Sequence, residues 1–169
     1  KDLFHQLENY GGLDEILPHM EEIVYRCCNQ KRIFVEWDER DSGERRKLNF
    51  GHSFGHAIEK IGEYRAHSHG EAVAIGMVTA ALLSHQRGYL TWDETRRIVR
   101  LIEKWGLPTR WESLSIPEVV EACRFDKKAR SGRLRFVLLE ALGRAKVGEV
   151  VEEDELVAAL KVQAGGGWE

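Results

Sequence analysis

Residues 72–83 read AVAIGMVTAALL, an apolar run without a single charged side chain. The run falls well short of the ~18 apolar residues that a membrane span needs. Together with its flanks it predicts a helix over His69–Gln86, with Gly70 at the start and Gly88 just past the end. A helix that is apolar nearly all round has no face to give to water, so it must be the central buried helix of its domain. The rest of the chain has to be wrapped around it.

The wrapping elements are mostly helical. Leu13, Ile16, Leu17, Met20, Ile23, Val24, Cys27 and Cys28 recur at i, i+3, i+4, i+7 and predict an amphipathic helix within residues 12–37. Continued one step, that stripe lands on Lys31. The polar stretch WDERDSGERRKLN, with Gly43, reads as a turn and an extended entry, after which Asn49 is placed to cap a helix holding His52, His56 and Glu59. Gly62 ends that helix, and EYRAHS reads as a loop. Thr91 followed by Glu94 fits a capping box, and Gly106 and Pro108 close the helix it starts. A short helix is expected near Pro117, after Ser115. The segment FDKKARSGRLRFVLLEALGRAKVGEV breaks the helical rhythm: Leu134 and Phe136–Leu139 predict a strand, and Gly143 a hairpin return through Ala145 and Val147. A last helix, about Glu153–Val162, precedes a loose AGGGWE tail. The fold class expected is mainly α with one small β-hairpin. No strand–helix alternation supports a parallel sheet, and neither GxGxxG nor a Walker loop is present.

Apolar residues make up 43% and charged residues 31% of the 169, which reads as one soluble, globular domain. The formal net charge of −3 provides no bulk attraction for nucleic acid or an anionic membrane. The N-terminal KDLFHQLENYGG lacks the apolar centre of a signal peptide and does not begin with Met. Cys27, Cys28 and Cys123 are odd in number and form no CxxC, so they are expected as reduced core residues of a cytoplasmic protein.

The chemistry-bearing residues are histidines and cations. His52 and His56, four apart, share one face of a helix. The spacing is that of metalloprotease helices, but Ser53 stands where HExxH has its glutamate. His69, beside Gly70 at a helix start, is positioned to reach a neighbouring helix. Two histidines, one carboxylate and an open position form a common catalytic zinc arrangement. Glu59 and Glu71 are the carboxylates nearby in sequence. Glu59 is placed one turn beyond His56, for a helical salt bridge, and Glu71 in a first turn, for the helix dipole. Lys31, Arg45, Lys127 and Lys128 would suit a phosphorylated, carboxylated ligand if they converged.

RRKLNFGHSFGHAIE followed by HGEAVAIGM resembles the signature of the 3-dehydroquinate synthase family of sugar-phosphate cyclases. RCCNQKRIFVEWDE and FDKKARSGRLRFVLL resemble the same family in the same order, so the likeness runs from about Leu13 to Leu160. It implies a two-domain protein with an N-terminal α/β domain that binds NAD. This chain, residues 1–169, resembles only the helical, metal- and substrate-binding C-terminal domain. By the resemblance His52 and His69 match the two zinc-ligand histidines, with cobalt as an alternative metal. His56 matches a histidine at the substrate phosphate that is implicated in proton transfer. Lys31 and Arg45 match residues that bind the substrate's hydroxyls and carboxylate, and Asn49 a substrate-contacting asparagine. Of Lys127 and Lys128, Lys128 matches a phosphate-side lysine, with Lys127 as the alternative.

The family's third zinc ligand is a glutamate in an AEVIKxG helix, which does not occur in this sequence. Neither Glu59 nor Glu71 matches it. The resemblance therefore implies that the 169-residue chain alone is inactive and binds zinc weakly through His52 and His69. It further implies a phosphorylated sugar acid as substrate, the missing N-terminal domain as partner, and a homodimer in the full-length form. The family reaction converts 3-deoxy-D-arabino-heptulosonate 7-phosphate to 3-dehydroquinate and phosphate, in the shikimate pathway. The alternatives are a sibling cyclase acting on sedoheptulose 7-phosphate or glucose 6-phosphate, a relative of iron-type alcohol dehydrogenases, and a non-catalytic helical interaction module.

Overall fold

The structure, a computed structural model, describes residues 2–41, 43–63, 66–111, 115–129 and 134–168; of residues 125–129 it describes the backbone alone. The chain divides into two compact units, Lys1–Leu48 and Asn49–Glu169.

The first unit holds α1 (Asp2–Asn9), the short α2 (Leu13–Ile16), a 3-10 turn (Leu17–His19), α3 (Met20–Trp37) and a second 3-10 segment (Glu44–Asn49) that runs to the unit boundary. Pro18 sits within the turn that separates α2 from α3, so the helix expected across residues 12–37 is broken there. Gln6 and Arg26 join α1 to α3 through a 2.6 Å hydrogen bond, and Tyr10 stacks on His19. These pieces are too few to cover an 18-residue helix, and of α3 only Ile23 is buried. Leu13, Leu17, Met20 and Val24 of the predicted stripe are exposed. Cys27 and Cys28 are exposed too, which corrects their assignment to a core. Cys123 is a core residue, as expected.

The second unit is built around α5 (His69–Gln86), whose bounds are those expected from the sequence. Every residue of α5 from Ala72 to Ser84 except Met77 is buried. It packs on α4 (His52–Ile61), α6 (Trp92–Lys104), α8 (Glu153–Gly165) and the strand β1 (Arg135–Ala141). The helix α7 (Ile116–Ala129) covers α4 and α8. It extends through FDKKA, where a break was expected, because nothing in that polar stretch is a helix terminator.

β1 pairs antiparallel with β2 (Arg144–Val150), Phe136 opposite Glu149 and Leu139 opposite Ala145, with the turn at Gly143. Consecutive residues Phe136–Leu139 are all buried, as for a strand covered on both faces. At the register irregularity after Leu139 the Ser84 hydroxyl accepts from the Leu139 amide (2.9 Å) and donates to Ala80 O (2.7 Å), which ties the hairpin to α5.

The tail expected to be loose is ordered. α8 runs on to Gly165, and Trp168 is buried, donating from Nε1 to Glu103 Oε1 (3.1 Å) beneath the Arg110 guanidinium. Burial of the Trp168 ring, with its indole N–H bonded to Glu103, is what anchors the glycine-rich end.

Arg87, at the end of α5, bonds Glu155 of α8 with both nitrogens Nε and Nη2 and Glu149 of β2 with Nη1. The Arg87 hydrogen bond is the main reason the Glu155 carboxyl titrates below its ordinary range. Burial alone would raise Glu149, but Lys146, Tyr89 and Arg87 outweigh it and lower that carboxyl as well. Groups depressed on folding give stability that is present above the ordinary carboxylate pKa and lost as pH falls through the folded value. Arg87→Met should cost about 2–4 kcal/mol near neutral pH in urea unfolding. It should also flatten the fall in stability as pH drops below the ordinary carboxylate range, since both depressed carboxyls then lose the contribution of Arg87. A variant as acid-sensitive as the wild type would show that this network does not set the acid limb.

Candidate metal and substrate site

His52 opens α4, and the backbone turns into that helix at Gly51, whose φ of +83° favours glycine. Asn49 closes the preceding 3-10 segment, two residues before the Gly51 N-cap, and so does not cap α4 as expected. It is exposed, free of that structural role. His69 is the first residue of α5. Its helix is fixed by a capping box in which the Glu71 amide donates to Ser68 Oγ and the Ser68 amide donates to Glu71 Oε2 (2.7 Å). The Ser68-x-x-Glu71 spacing was visible in the sequence and gives Glu71 its role: hydrogen bonds from Ser68 hold its carboxyl below the ordinary range.

α4 crosses α5 at glycines, with Gly51 and Gly55 of the α4 segment against Val73 and Gly76. The close approach brings three imidazoles together. Ring centroids of His52 and His69 are 5.3 Å apart, His52 and His56 5.7 Å, and His56 and His69 6.1 Å. His52 is half-buried, whereas His56 and His69 are exposed. His52 Nδ1 lies 3.4 Å from Phe50 O and His69 Nδ1 3.1 Å from Glu59 Oε1. With each Nδ1 facing an acceptor, each Nε2 is left as the lone-pair nitrogen, the form a metal takes. Burial, assisted by the nearby His56 and His69, pushes the His52 pKa below the usual histidine value despite the Phe50 carbonyl. At neutral pH its ring is therefore uncharged, as a ligand must be.

Among the described residues, one set offers three ligand atoms within 4.8 Å of each other: His56, Glu59 and His69. Glu59 is buried and bonds across to His69 rather than along its own helix to His56, as the sequence had suggested. Its proximity to His69 depends on the α4–α5 crossing, for which sequence spacing holds no signal. The donor chemistry fits a zinc-like ion: two exposed imidazoles with a buried carboxylate within reach of both.

Of the cations, Lys31 is exposed on α3. Arg45 is half-buried in the second 3-10 segment; its amide donates to Asp38 Oδ2 (3.1 Å) and its Nη1 to Glu39 O (3.2 Å). Both belong to the first unit, and Asn49, His52, His56 and His69 to the second. Lys127 and Lys128 lie on the backbone of α7, with side chains outside the described residues. Tyr64 and Arg65 of the predicted loop are likewise outside them.

The 3-dehydroquinate synthase C-terminal family model matches residues 1–129. The chain belongs to that family. Among curated relatives, the 3-dehydroquinate synthase of Dichelobacter nodosus is 46% identical over 142 residues, 83% of this chain and 38% of the relative. The 3-dehydroquinate synthase of Thermoanaerobacter pseudethanolicus is 42% identical over 161 residues, 94% and 45% respectively. The chain thus spans roughly two fifths of the length of these relatives. Among solved structures, 2-epi-5-epi-valiolone synthase from Streptomyces hygroscopicus, with NAD+ and Zn2+ bound, superposes with a TM-score of 0.76 at 27% identity. That match covers 86% of this chain and 40% of the other. 2-Deoxy-scyllo-inosose synthase, complexed with carbaglucose-6-phosphate, NAD+ and Co2+, shares the fold with a TM-score of 0.74 at 20% identity. The mainly helical fold, with one antiparallel hairpin among the described residues, is therefore that of dehydroquinate synthase-like cyclases.

Proposed function

We propose that this chain is the metal- and substrate-binding domain of a 3-dehydroquinate synthase. The observation that carries the reading is the cluster of His52, His56 and His69 across the α4–α5 crossing, with the Nδ1 atoms of His52 and His69 facing acceptors. In this reading His52 and His69 are the metal ligands, for zinc or cobalt. A bound metal would polarise an alcohol or ketone oxygen of the substrate. His56, exposed beside them, takes the phosphate side and moves a proton there. Lys31 and Arg45 bind the substrate's hydroxyls and carboxylate, Asn49 contacts the substrate, and Lys128, or alternatively Lys127, binds its phosphate. NAD and the third metal ligand come from the part of the longer relatives that this chain does not span. A homodimer and a cytoplasmic setting complete the proposal. The formal charge of −3 favours no nucleic-acid or membrane partner, and among the described residues no helix is long and apolar enough to cross a membrane.

Curated relatives at 36–46% identity are 3-dehydroquinate synthases, which favours that substrate over those of the sibling cyclases found by structure. The experiment is phosphate release by the gene-length protein with 3-deoxy-D-arabino-heptulosonate 7-phosphate, sedoheptulose 7-phosphate and glucose 6-phosphate in turn. Turnover of the first alone is expected; preference for either of the others would move the chain to a sibling. The 169-residue chain with NAD should release no phosphate. In calorimetry it should bind zinc weakly, and His52→Ala and His69→Ala should each weaken that binding further. Binding unchanged in both variants would remove these histidines as ligands.

A further inference from the structure

The buried carboxylate of Glu59, with a ligand atom within 4.8 Å of those of His56 and His69, has no part in the metal and substrate roles proposed above. Its side chain is 10% exposed, whereas its partner His69 is 58% exposed at the very start of α5. An exposed imidazole at a helix end ordinarily rotates among rotamers and, when neutral, favours its proton on Nε2. Either freedom would spoil a ligand. Burying a carboxylate in turn is costly unless a donor meets it. The 3.1 Å contact between Glu59 Oε1 and His69 Nδ1 resolves both problems in one bond, and it bridges the two helices that carry the histidines.

We propose that Glu59 is a positioning residue: it fixes the ring of His69 with the proton on Nδ1, and so presents Nε2 as the metal ligand. The inference rests on the reading of His69 as a ligand. The contrast with His52 supports it. His52 is half-buried and faces a backbone carbonyl at 3.4 Å, so packing and main chain orient it. His69 lacks burial, and the carboxylate takes over that task.

The test uses two variants of the chain. Glu59→Met keeps the volume of the buried side chain and removes the acceptor; Glu59→Gln keeps a neutral acceptor. Nitrogen-15 shifts of the His69 ring are read on the metal-free protein at about pH 8, above the ordinary histidine pKa of about 6.5. Zinc affinity is then measured by calorimetry. In the wild type the Nδ1–H tautomer should dominate. Glu59→Met should shift it toward Nε2–H and weaken zinc by about 10–100-fold, with Glu59→Gln intermediate in both readouts. Wild-type tautomer and affinity in Glu59→Met would overturn the proposal. Abolished zinc binding in both variants with an unchanged tautomer would also overturn it, by making Glu59 itself a ligand. Should Glu59→Met fail to fold by circular dichroism, Glu59→Gln decides: a tautomer shift with weaker zinc supports the proposal, and wild-type values of both overturn it. His52→Ala and His69→Ala, run alongside, separate the two ideas. If they leave zinc binding intact, the ligand assignment fails. If they weaken it while the Glu59 variants do not, the assignment stands and the positioning role falls.

Discussion

Gly76→Ala should destabilise the second unit by about 3 kcal/mol or more and remove the histidine cluster with it. A Cβ on Gly76 would stand 2.0 Å from Gly51 O and 2.9 Å from Gly55 N. These neighbours are backbone, so no side chain can rotate away. α4 has to move off α5, and overpacking that forces backbone shifts exceeds the usual range for an added methyl. His52 and His56 ride on α4, His69 on α5, and the Glu59–His69 bond spans the two. A shift of about an ångström is enough to spoil such a constellation. Thermal melting should show a lower midpoint, and zinc affinity should fall even at temperatures where the variant is fully folded. The control is Gly70→Ala, also in α5, where a Cβ would meet nothing within 4 Å. That change should be neutral or stabilise by up to about 1 kcal/mol, since alanine is the better helix former. Equal stability of Gly76→Ala and wild type would mean that the crossing is looser than its contacts require.

The extent to which the sequence disclosed this arrangement follows from where the signals lie. α5 was legible to the residue because an all-apolar run too short to span a membrane is a local pattern that calls for burial on every side. The capping box at Thr91 and the hairpin turn at Gly143 were equally local. Cys27 and Cys28 misled because periodicity reports which face is apolar, not whether anything covers it. Trp168 misled in the opposite direction: a glycine-rich tail looks loose until Glu103 and Arg110, from far along the chain, supply its partners. The histidines were found by spacing and by family resemblance. Glu59 was assigned to its own helix, because the bond to His69 exists only once two glycine-lined helices have crossed. Local chemistry was readable; contacts created by packing were not.

Gln163→Leu should cost about 2–4 kcal/mol while leaving zinc affinity of the folded protein at the wild-type level. Gln163 is fully buried near the end of α8, where a helix seen only as an apolar stripe gives no reason for an amide. Its Oε1 accepts from Thr79 Oγ1 at 2.6 Å, and its Nε2 donates to Ile75 O at 3.0 Å and Thr109 O at 2.8 Å. One side chain thus ties α8 to the middle of α5 and to the segment after α6. Leucine fills the space but leaves the Thr109 carbonyl without that donor, and a buried unsatisfied acceptor is costlier than the bond was worth. Thr79→Val in the same background should cost less than it does alone, with a coupling of about 1 kcal/mol, because its partner is already gone. Urea unfolding of the two single variants and the double variant measures this, and a Gln163→Leu penalty below about 0.5 kcal/mol would show the network to be dispensable. The contrast with Gly76→Ala carries the larger point. Gly76 and Ile75 are adjacent on α5, yet they face different neighbours: one holds α4 and the histidines in place, the other holds α8. Comparable losses of stability should therefore separate cleanly in metal binding, according to which side of the central helix is disturbed.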